Sequence, residues 1–339
     1  MKFASRQQRC GGQVRPTHFY APVRAGRVVT ARRGQRGAAI ITALLVVALV
    51  AIIASALLAQ QSQALTRTAA GVARAQASAY SDTALYWACG ILQEDARHDA
   101  QQKTGDHLSE PWAAGIAALP VENAVVSGTL SDAQGRFNLN NLVRNGKVDE
   151  PSVQLFRRLL EALSLPPDLA YAVVDWIDAD SDVSSPGGAE DQTYLARPAP
   201  YRAANHALVM VDELAYVQGF DAKTLAKLRP FVSALAPITR INLNTAPIEV
   251  VKAVMPELSD SEQQALVKER LTRPFKDLTD IKARYPKAAP QLLDQEVDAK
   301  SSFFTAQIAV SSGTVQIRTQ ALIQRIENKW PVIIWTAAF

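Results

Sequence analysis

Between Arg36 and Arg67 the chain carries no charged residue, and from Ala38 to Ala59 it is almost wholly apolar. About 20 such residues are what an α-helix needs to cross a bilayer. In hydrocarbon a single segment satisfies its own backbone groups only as a helix. Residues 1–37 hold nine lysines and arginines and no acid. That asymmetry keeps the N-terminal side in the cytoplasm and sends the rest outward. A secretory signal peptide is the competing reading. It needs an apolar region of about 7–15 residues and a small-x-small site, which Ala54-Ser-Ala56 would supply. The helical character does not stop there, however. Residues 60–95 contain no proline, and alanine, leucine, glutamine and arginine dominate them; these residues favour helix. The apolar span (38–60) and the soluble stretch (61–98) therefore read as one helix. Sixty residues at 1.5 Å each make it about 90 Å long. Its second part would carry Leu85, Trp87, Ile91 and Leu92 toward a globular head.

The formal charge of +4 comes from the first 37 residues; without those nine cations it is −5. The remainder is mildly acidic, which argues against a nucleic-acid-binding surface, where a basic patch is the expected footprint. Cys10 and Cys89 are the two cysteines. With Cys10 in the basic leader, Cys89 stands alone and reads as a small apolar residue packed on the helix.

Residues 99–147 begin as a polar loop broken by Gly105, Pro111 and Pro120, with a short helix around Trp112. They continue into strands at Asn123–Ser131 and Arg136–Asn140, separated by the turn Asp132-Ala-Gln-Gly135. Residues 148–235 then change to helical spacing, as in Val153, Phe156, Leu159, Leu160 and Leu163. Pro166-Pro167-Asp168 opens a second helix through Ile177. Val211–Gly219 and Ala222–Leu228 are two more. Arg240-Ile-Asn-Leu-Asn244 repeats Arg136-Phe-Asn-Leu-Asn140, so 236–298 reads as a second helical unit, too few copies for a solenoid. Residues 299–339 alternate apolar and polar over Phe303–Ser311, Val315–Ile326 and Val332–Ala337, a three-stranded antiparallel meander. With the strand near Val125 it makes about four strands, enough to pack on one helix.

Acidic residues concentrate in Asp175-Trp-Ile-Asp-Ala-Asp-Ser-Asp182 and Gly187-Gly-Ala-Glu-Asp191, followed by Pro200-Tyr-Arg-Ala-Ala-Asn205. Asp178, Asp180 and Asp182 have the spacing of a calcium loop. An EF-hand needs Gly at the sixth position and Glu at the twelfth; here these are Val183 and Ala189. Oxygen-only side chains with no nearby cysteine favour a hard cation, calcium over zinc. The alternative is a solvated acidic loop whose aspartates cap helices.

A basic leader ending in glycine, then an apolar helix continuing into a soluble one, resembles a type IV prepilin-like protein. The resemblance implies cleavage by a prepilin peptidase between Gly37 and Ala38 and methylation of the new N-terminus. The leader is long for such proteins, and a start nearer Val28 or Val29 would shorten it. The usual glutamate at the fifth mature position is Thr42 here. In that family the glutamate neutralises the amine of the subunit ahead, and a carboxylate in hydrocarbon is costly without a partner. A subunit with nothing ahead of it does without the acid. That departure, with the D-W-I-D-x-D, G-A-E-D and P-Y-R-x-x-N pieces, resembles the K-type minor pseudopilins of type II secretion. The implied fold is α+β: a type IV pilin-like long N-terminal helix packed on an antiparallel sheet. It carries a large helical insertion of SAM- and helix-hairpin-helix-like repeats. The implied role is to form or cap the tip of the pseudopilus with the I and J types. The subunit would be held by one span in the inner membrane with its head in the periplasm. The resemblance also favours a structural calcium ion, with Asp178, Asp180, Glu190, Asp191 and Asn205 as ligand candidates, then Asp175 and Asp182.

A DNA-uptake protein is the strongest rival. Arg240-Ile-Asn-Leu-Asn-Thr-Ala-Pro and Arg273-Pro-Phe-Lys-Asp-Leu resemble a helix-hairpin-helix module, whose glycine-rich hairpin brings backbone N–H groups to phosphate. Met255-Pro-Glu-Leu-Ser-Asp-Ser-Glu262 has no glycine and three acids. Since affinity for DNA comes mostly from phosphate neutralisation, no nucleic acid is expected. Nor is an enzyme: His18, His98, His107 and His206 lack zinc spacing, and no G-x-S-x-G or nucleotide loop occurs. Among the tryptophans, Trp87 and Trp176 read as core, Trp330 and Trp335 as sheet packing, and Trp112 as a candidate surface anchor.

Overall fold

The computed structural model describes residues 36–338, with side chains from Ala38. Residues 1–35, with Cys10 and His18, lie outside the described residues. The chain divides into two units, one ending at Leu65 and one beginning at Thr66.

The first unit is the start of α1 (Arg36–Gln102). Every side chain from Ala38 to Leu65 is exposed. A ring of bare isoleucine, leucine and valine side chains is far beyond the apolar patch that a water-soluble surface carries. It fits a single-pass membrane anchor. Thr42 sits in it with its hydroxyl donating to the Ala39 carbonyl at 3.0 Å.

The second unit begins on the same helix. Ala77, Ser81, Leu85, Ala88, Cys89, Leu92, Asp95 and Asp99 are buried, three or four residues apart, so one stripe faces inward. Trp87 is half exposed, and Ile91 is only partly covered. The helix ends where Lys103 turns left-handed, its N–H bonding the Asp99 carbonyl at 2.7 Å. Gly105 follows against the backbone of Ala299; a Cβ there would lie 2.3 Å from that carbonyl oxygen.

Strands β1 (Ile116–Val121) and β2 (Ala124–Asp132) form a hairpin. The short strands β3 (Phe137–Asn138), β4 (Val143–Arg144) and β5 (Lys147–Val148) follow. Helices α2 (Glu150–Ala162), α3 (Leu169–Ile177), α4 (Asp191–Leu195) and α5 (Ala222–Leu228) precede β6 (Val232–Ser233) and β7 (Ile241–Asn242). Helices α6 (Ile248–Val254), α7 (Asp260–Glu269) and α8 (Leu278–Arg284) lead to β8 (Val297–Asp298). The chain closes with β9 (Phe303–Ser312), β10 (Val315–Gln324) and β11 (Val332–Ala338).

The main sheet is antiparallel, in the order β1-β2-β9-β10-β11. Its inner face gives Val126, Phe304, Ala306, Ile308, Val310, Ala321 and Ile323 to the core shared with α1. Strand β1 is a fifth strand, in a stretch expected to be loop. Trp112 is no surface anchor. It is buried in the short 3-10 turn Pro111–Ala114, edge-on to Phe304 at 5.2 Å, and its indole N–H donates to Glu110 at 2.7 Å. Trp330 is half exposed, whereas Trp335 packs on the outer face beside Phe303 and Leu322.

The helical insertion has its own core, and the repeated motif organises it. Strand β3 pairs in parallel with β6, and β7 with β8. In each copy the first asparagine accepts from the backbone N–H of the second: Asn140 to Asn138 at 3.2 Å, Asn244 to Asn242 at 2.9 Å. The second asparagine then brackets a distant backbone. Asn140 donates to the Leu208 carbonyl and accepts from the Leu208 N–H; Asn244 does the same with Phe275. Buried amides with both ends satisfied fix one geometry.

Candidate metal centre

Helix α3 ends at Ile177, and Asp178 caps it with its N–H on the Val174 carbonyl at 2.9 Å. Asp175, one turn earlier, is fully buried and accepts from the Ser184 N–H at 3.1 Å, which folds the acidic loop back over the helix end. The return needs a residue without a side chain. A Cβ on Gly188 would lie 2.3 Å from both Asp175 Oδ2 and the Ser184 carbonyl oxygen. Ala189 is fully buried, and Glu190 then caps α4.

Asp178, Asp180 and Glu190 thereby each offer a carboxylate oxygen, all within 4.8 Å of one another. Asp178 and Glu190 are buried, and Asp180 is exposed. Asp178 Oδ1 and both Glu190 oxygens are enclosed with no hydrogen-bond partner. Among the described residues no ion pair joins any of the three to a lysine, arginine or histidine. Burial pushes the Glu190 carboxyl up to about 7, with Asp175 and Asp178 adding to it. Burial likewise raises Asp178 to about 6, helped by Asp180, Asp175 and Asp182. Three converging acids, two of them dry and unpaired, fit a hard cation with oxygen ligands. Unpaired buried carboxylates otherwise carry a large desolvation penalty.

The other expected ligands lie outside that trio. Asp175 is engaged by Ser184. The N–H of Asp182 donates to Asp180 Oδ1 at 2.9 Å. Asp191 accepts from Arg202 and from the Ala203 N–H, both at 3.0 Å. Asn205, left-handed at φ 49°, donates its N–H to the Trp176 carbonyl at 3.0 Å. Tyr201 stacks on Tyr194 at 5.4 Å, and Trp176 meets both rings edge-on. These sequence pieces thus supply two buried, unpaired acids and the hydrogen-bonded loop around them.

A second acidic group escapes sequence reasoning. Asp95, Asp99, Asp106 and Glu110 are all buried and close together. Arg325 enters among them, with 10% of its side chain exposed. It binds Asp95 at 2.8 Å, Asp106, and the Ser301 carbonyl at 2.6 Å. Burial raises Glu110 to about 8, Asp95 to about 7 and Asp106 to about 6. These acids come from α1 and the loop after it, and the arginine follows the end of β10. The cluster therefore locks helix to sheet.

A helix with a bare apolar start, packed further along on an antiparallel sheet, defines a pilin-like subunit. Two family models, both described as type II secretion system (T2SS) protein K, match residues 135–237 and 241–316. The type II secretion system protein K of Pseudomonas aeruginosa is 32% identical over 304 residues, covering 88% of this chain and 90% of its own. That of Pectobacterium carotovorum is 32% identical over 323 residues, covering 89% and 96%. The crystal structure of the GspK-GspI-GspJ complex from enterotoxigenic Escherichia coli contains a chain with TM-score 0.71 and 27% identity. It covers 80% of this chain and 99% of that one. The chain belongs to the type II secretion system protein K family: it is a minor pseudopilin, a structural component of type II secretion.

Proposed function

We propose that this subunit leads the pseudopilus, joined to I- and J-type minor pseudopilins, with its head in the periplasm and a calcium ion in the acidic loop. The solved relative in complex with GspI and GspJ supports the partners. The leading position rests on Thr42. Its hydroxyl is satisfied by its own helix, so the segment brings no acid into hydrocarbon and needs no cation from a neighbour. A head enlarged by residues 148–298 also leaves little room for a subunit stacked ahead. Prepilin peptidase would cut after Gly37. The hairpin between α6 and α7 supports the choice against DNA uptake. Glu262 closes a capping box with Ser259 and holds Lys287 at 2.7 Å, so that turn presents carboxylate where phosphate would have to approach.

Asp178, Asp180 and Glu190 would hold the calcium, with further oxygens from water or the loop. The ion supplies charge neutralisation and fixes the loop's conformation; Asp175, Asp191 and Asn205 set the frame around it.

Two experiments test the assembly. Full-length chain co-expressed with its I- and J-type partners is expected to co-purify in detergent as a one-to-one-to-one complex; recovery of this chain alone removes the reading. In cells depending on this chain for secretion, Thr42→Glu is expected to lower export of a secreted enzyme. Unchanged export and unchanged assembly would leave the leading position without support.

A further inference from the structure

The two copies of the repeated motif act as mutual controls, and they differ at one charge. Phe137 faces Val232 and Asn138 faces Ser233 in the first copy; Ile241 faces Val297 and Asn242 faces Asp298 in the second. Ser233 thus occupies the place that Asp298 occupies. In the second copy Asp298 neutralises Arg240 across 3.0 Å. In the first copy the equivalent arginine, Arg136, has no such acid. Among the described residues it makes no salt bridge and no hydrogen bond. Ser233 is 6% exposed, and its hydroxyl is enclosed without a partner.

Both residues line one cleft of about 180 Å³ between the insertion and the outer face of the sheet. Its other charged walls are Asp212 and Arg229, which pair with each other, so Arg136 is the unbalanced cation. Asp132, the acid that acts on Arg136 through space, is already engaged by Thr245, Asn242, Ser301 and the Gln134 N–H. Arg136 is partly buried, and that burial depresses its affinity for its proton, as expected of a partly desolvated cation without a counter-ion. The rest of the cleft is largely apolar, with Met210, Leu235, Leu322 and Trp335 on its walls.

We propose that this cleft binds a carboxylate carried on an apolar group, which supplies to Arg136 the charge that Asp298 supplies to Arg240. The chemistry selects the ligand class. One unpaired guanidinium is matched by one negative charge, and its planar fork fits a carboxylate with two parallel hydrogen bonds. A phosphate dianion would leave a buried negative charge over. The volume equals that of about six waters, enough for one residue with its terminal carboxylate or for a short fatty acid.

Calorimetric titration of the full-length protein in detergent tests this with hexanoate and with the peptide Ala-Ala-Leu, each against its amide. Both the acid form and its loss on amidation are expected, with the amide at least about tenfold weaker. Arg136→Met is expected to weaken the acid by about tenfold or more with unchanged circular dichroism. Ser233→Asp installs the missing acid inside, and is expected to abolish binding while keeping the melting temperature at or above that of the parent. Binding of hexanoate without the peptide identifies a free carboxylate as the source; tighter binding of the peptide identifies a polypeptide terminus. Acid and amide of equal affinity, no heat from any probe at about 10 mM, or binding that survives Arg136→Met overturns the proposal.

Discussion

Replacing Arg325 by methionine is expected to destabilise the head by about 3–5 kcal/mol, the usual consequence of removing one partner from a buried ion pair. At roughly 2–4 °C per kcal/mol for a domain of this size, the melting temperature should fall by about 10 °C. The loss is large because Arg325 is the only lysine or arginine paired with the buried acids of this cluster among the described residues; the other basic contact is His107 on Glu110 at 3.7 Å, and burial disfavours the charged form of that imidazole. It also places its guanidinium over the Phe304 ring at 4.9 Å, so both charge and packing are removed. The pH dependence separates the two. Burial raises Asp95, Asp106 and Glu110 to about 7, 6 and 8 in the folded state, above their unfolded values near 4. The folded state therefore holds more protons between about pH 4 and 8, and stability falls as pH rises through that window. Arg325 opposes this fall by favouring the charged forms. Its removal should cost most at pH 8 and least at pH 5, where the acids are protonated without it. Urea unfolding of parent and variant at both pH values measures the difference. An equal deficit at pH 5 and pH 8 would assign it to packing alone, and no deficit at pH 8 would end the account of the cluster.

What the sequence reveals of this fold follows from which interactions are local. Strands β9, β10 and β11 keep apolar residues on the α1 face along their length, and both faces are buried only around Phe303–Ala306 and Ala321–Ile323, so their limits are readable to within two residues. Helix α5 starts where Asp221 caps Thr224, a signal wholly contained in the chain there. Strand β1 gave no such signal. It is an edge strand with four exposed residues, Ala-Ala-Leu-Pro, in its middle, and a proline is tolerated at an edge but argues against a strand on paper. Trp112 misled for a related reason. Its neighbours are proline, alanine and glycine, and the ring that buries it, Phe304, comes from the far end of the chain.

The candidate site divides in the same way. The acids of the loop stand out by density, but density does not tell a carboxylate tied to the backbone from one left unpaired. Asp175 and Asp191 look like Asp178 on paper. They differ because the first two meet backbone N–H groups and the third meets none. Arg325 was silent because Asp95 and Asp106 reach it from more than two hundred positions away. The inequality between Arg136 and Arg240 was hidden in the same manner: the motif repeats, but the strand opposite it carries Ser233 in one copy and Asp298 in the other.

If the proposed calcium site is real, its ion should matter nearly as much as Arg325. An ion that binds only the folded state at about 100 times its Kd adds about 2.7 kcal/mol. The melting temperature of the full-length chain in detergent should therefore rise by roughly 5–10 °C on adding calcium to chelator-treated protein at pH 8. The shift should shrink as pH falls. Glu190 and Asp178 take up protons near about 7 and 6 without the ion, and calcium must displace those protons to bind. At pH 5 the response should be small. The double variant Asp178→Asn and Glu190→Gln distinguishes a metal site from a merely acidic loop. Neutral amides relieve the repulsion with Asp180 that the empty loop suffers, so in chelator at pH 8 the variant should be at least as stable as the parent. It should nevertheless gain nothing from calcium. A parent protein indifferent to calcium at pH 8, or a double variant that keeps the full thermal shift, would show that these three carboxylates do not form the ion's site.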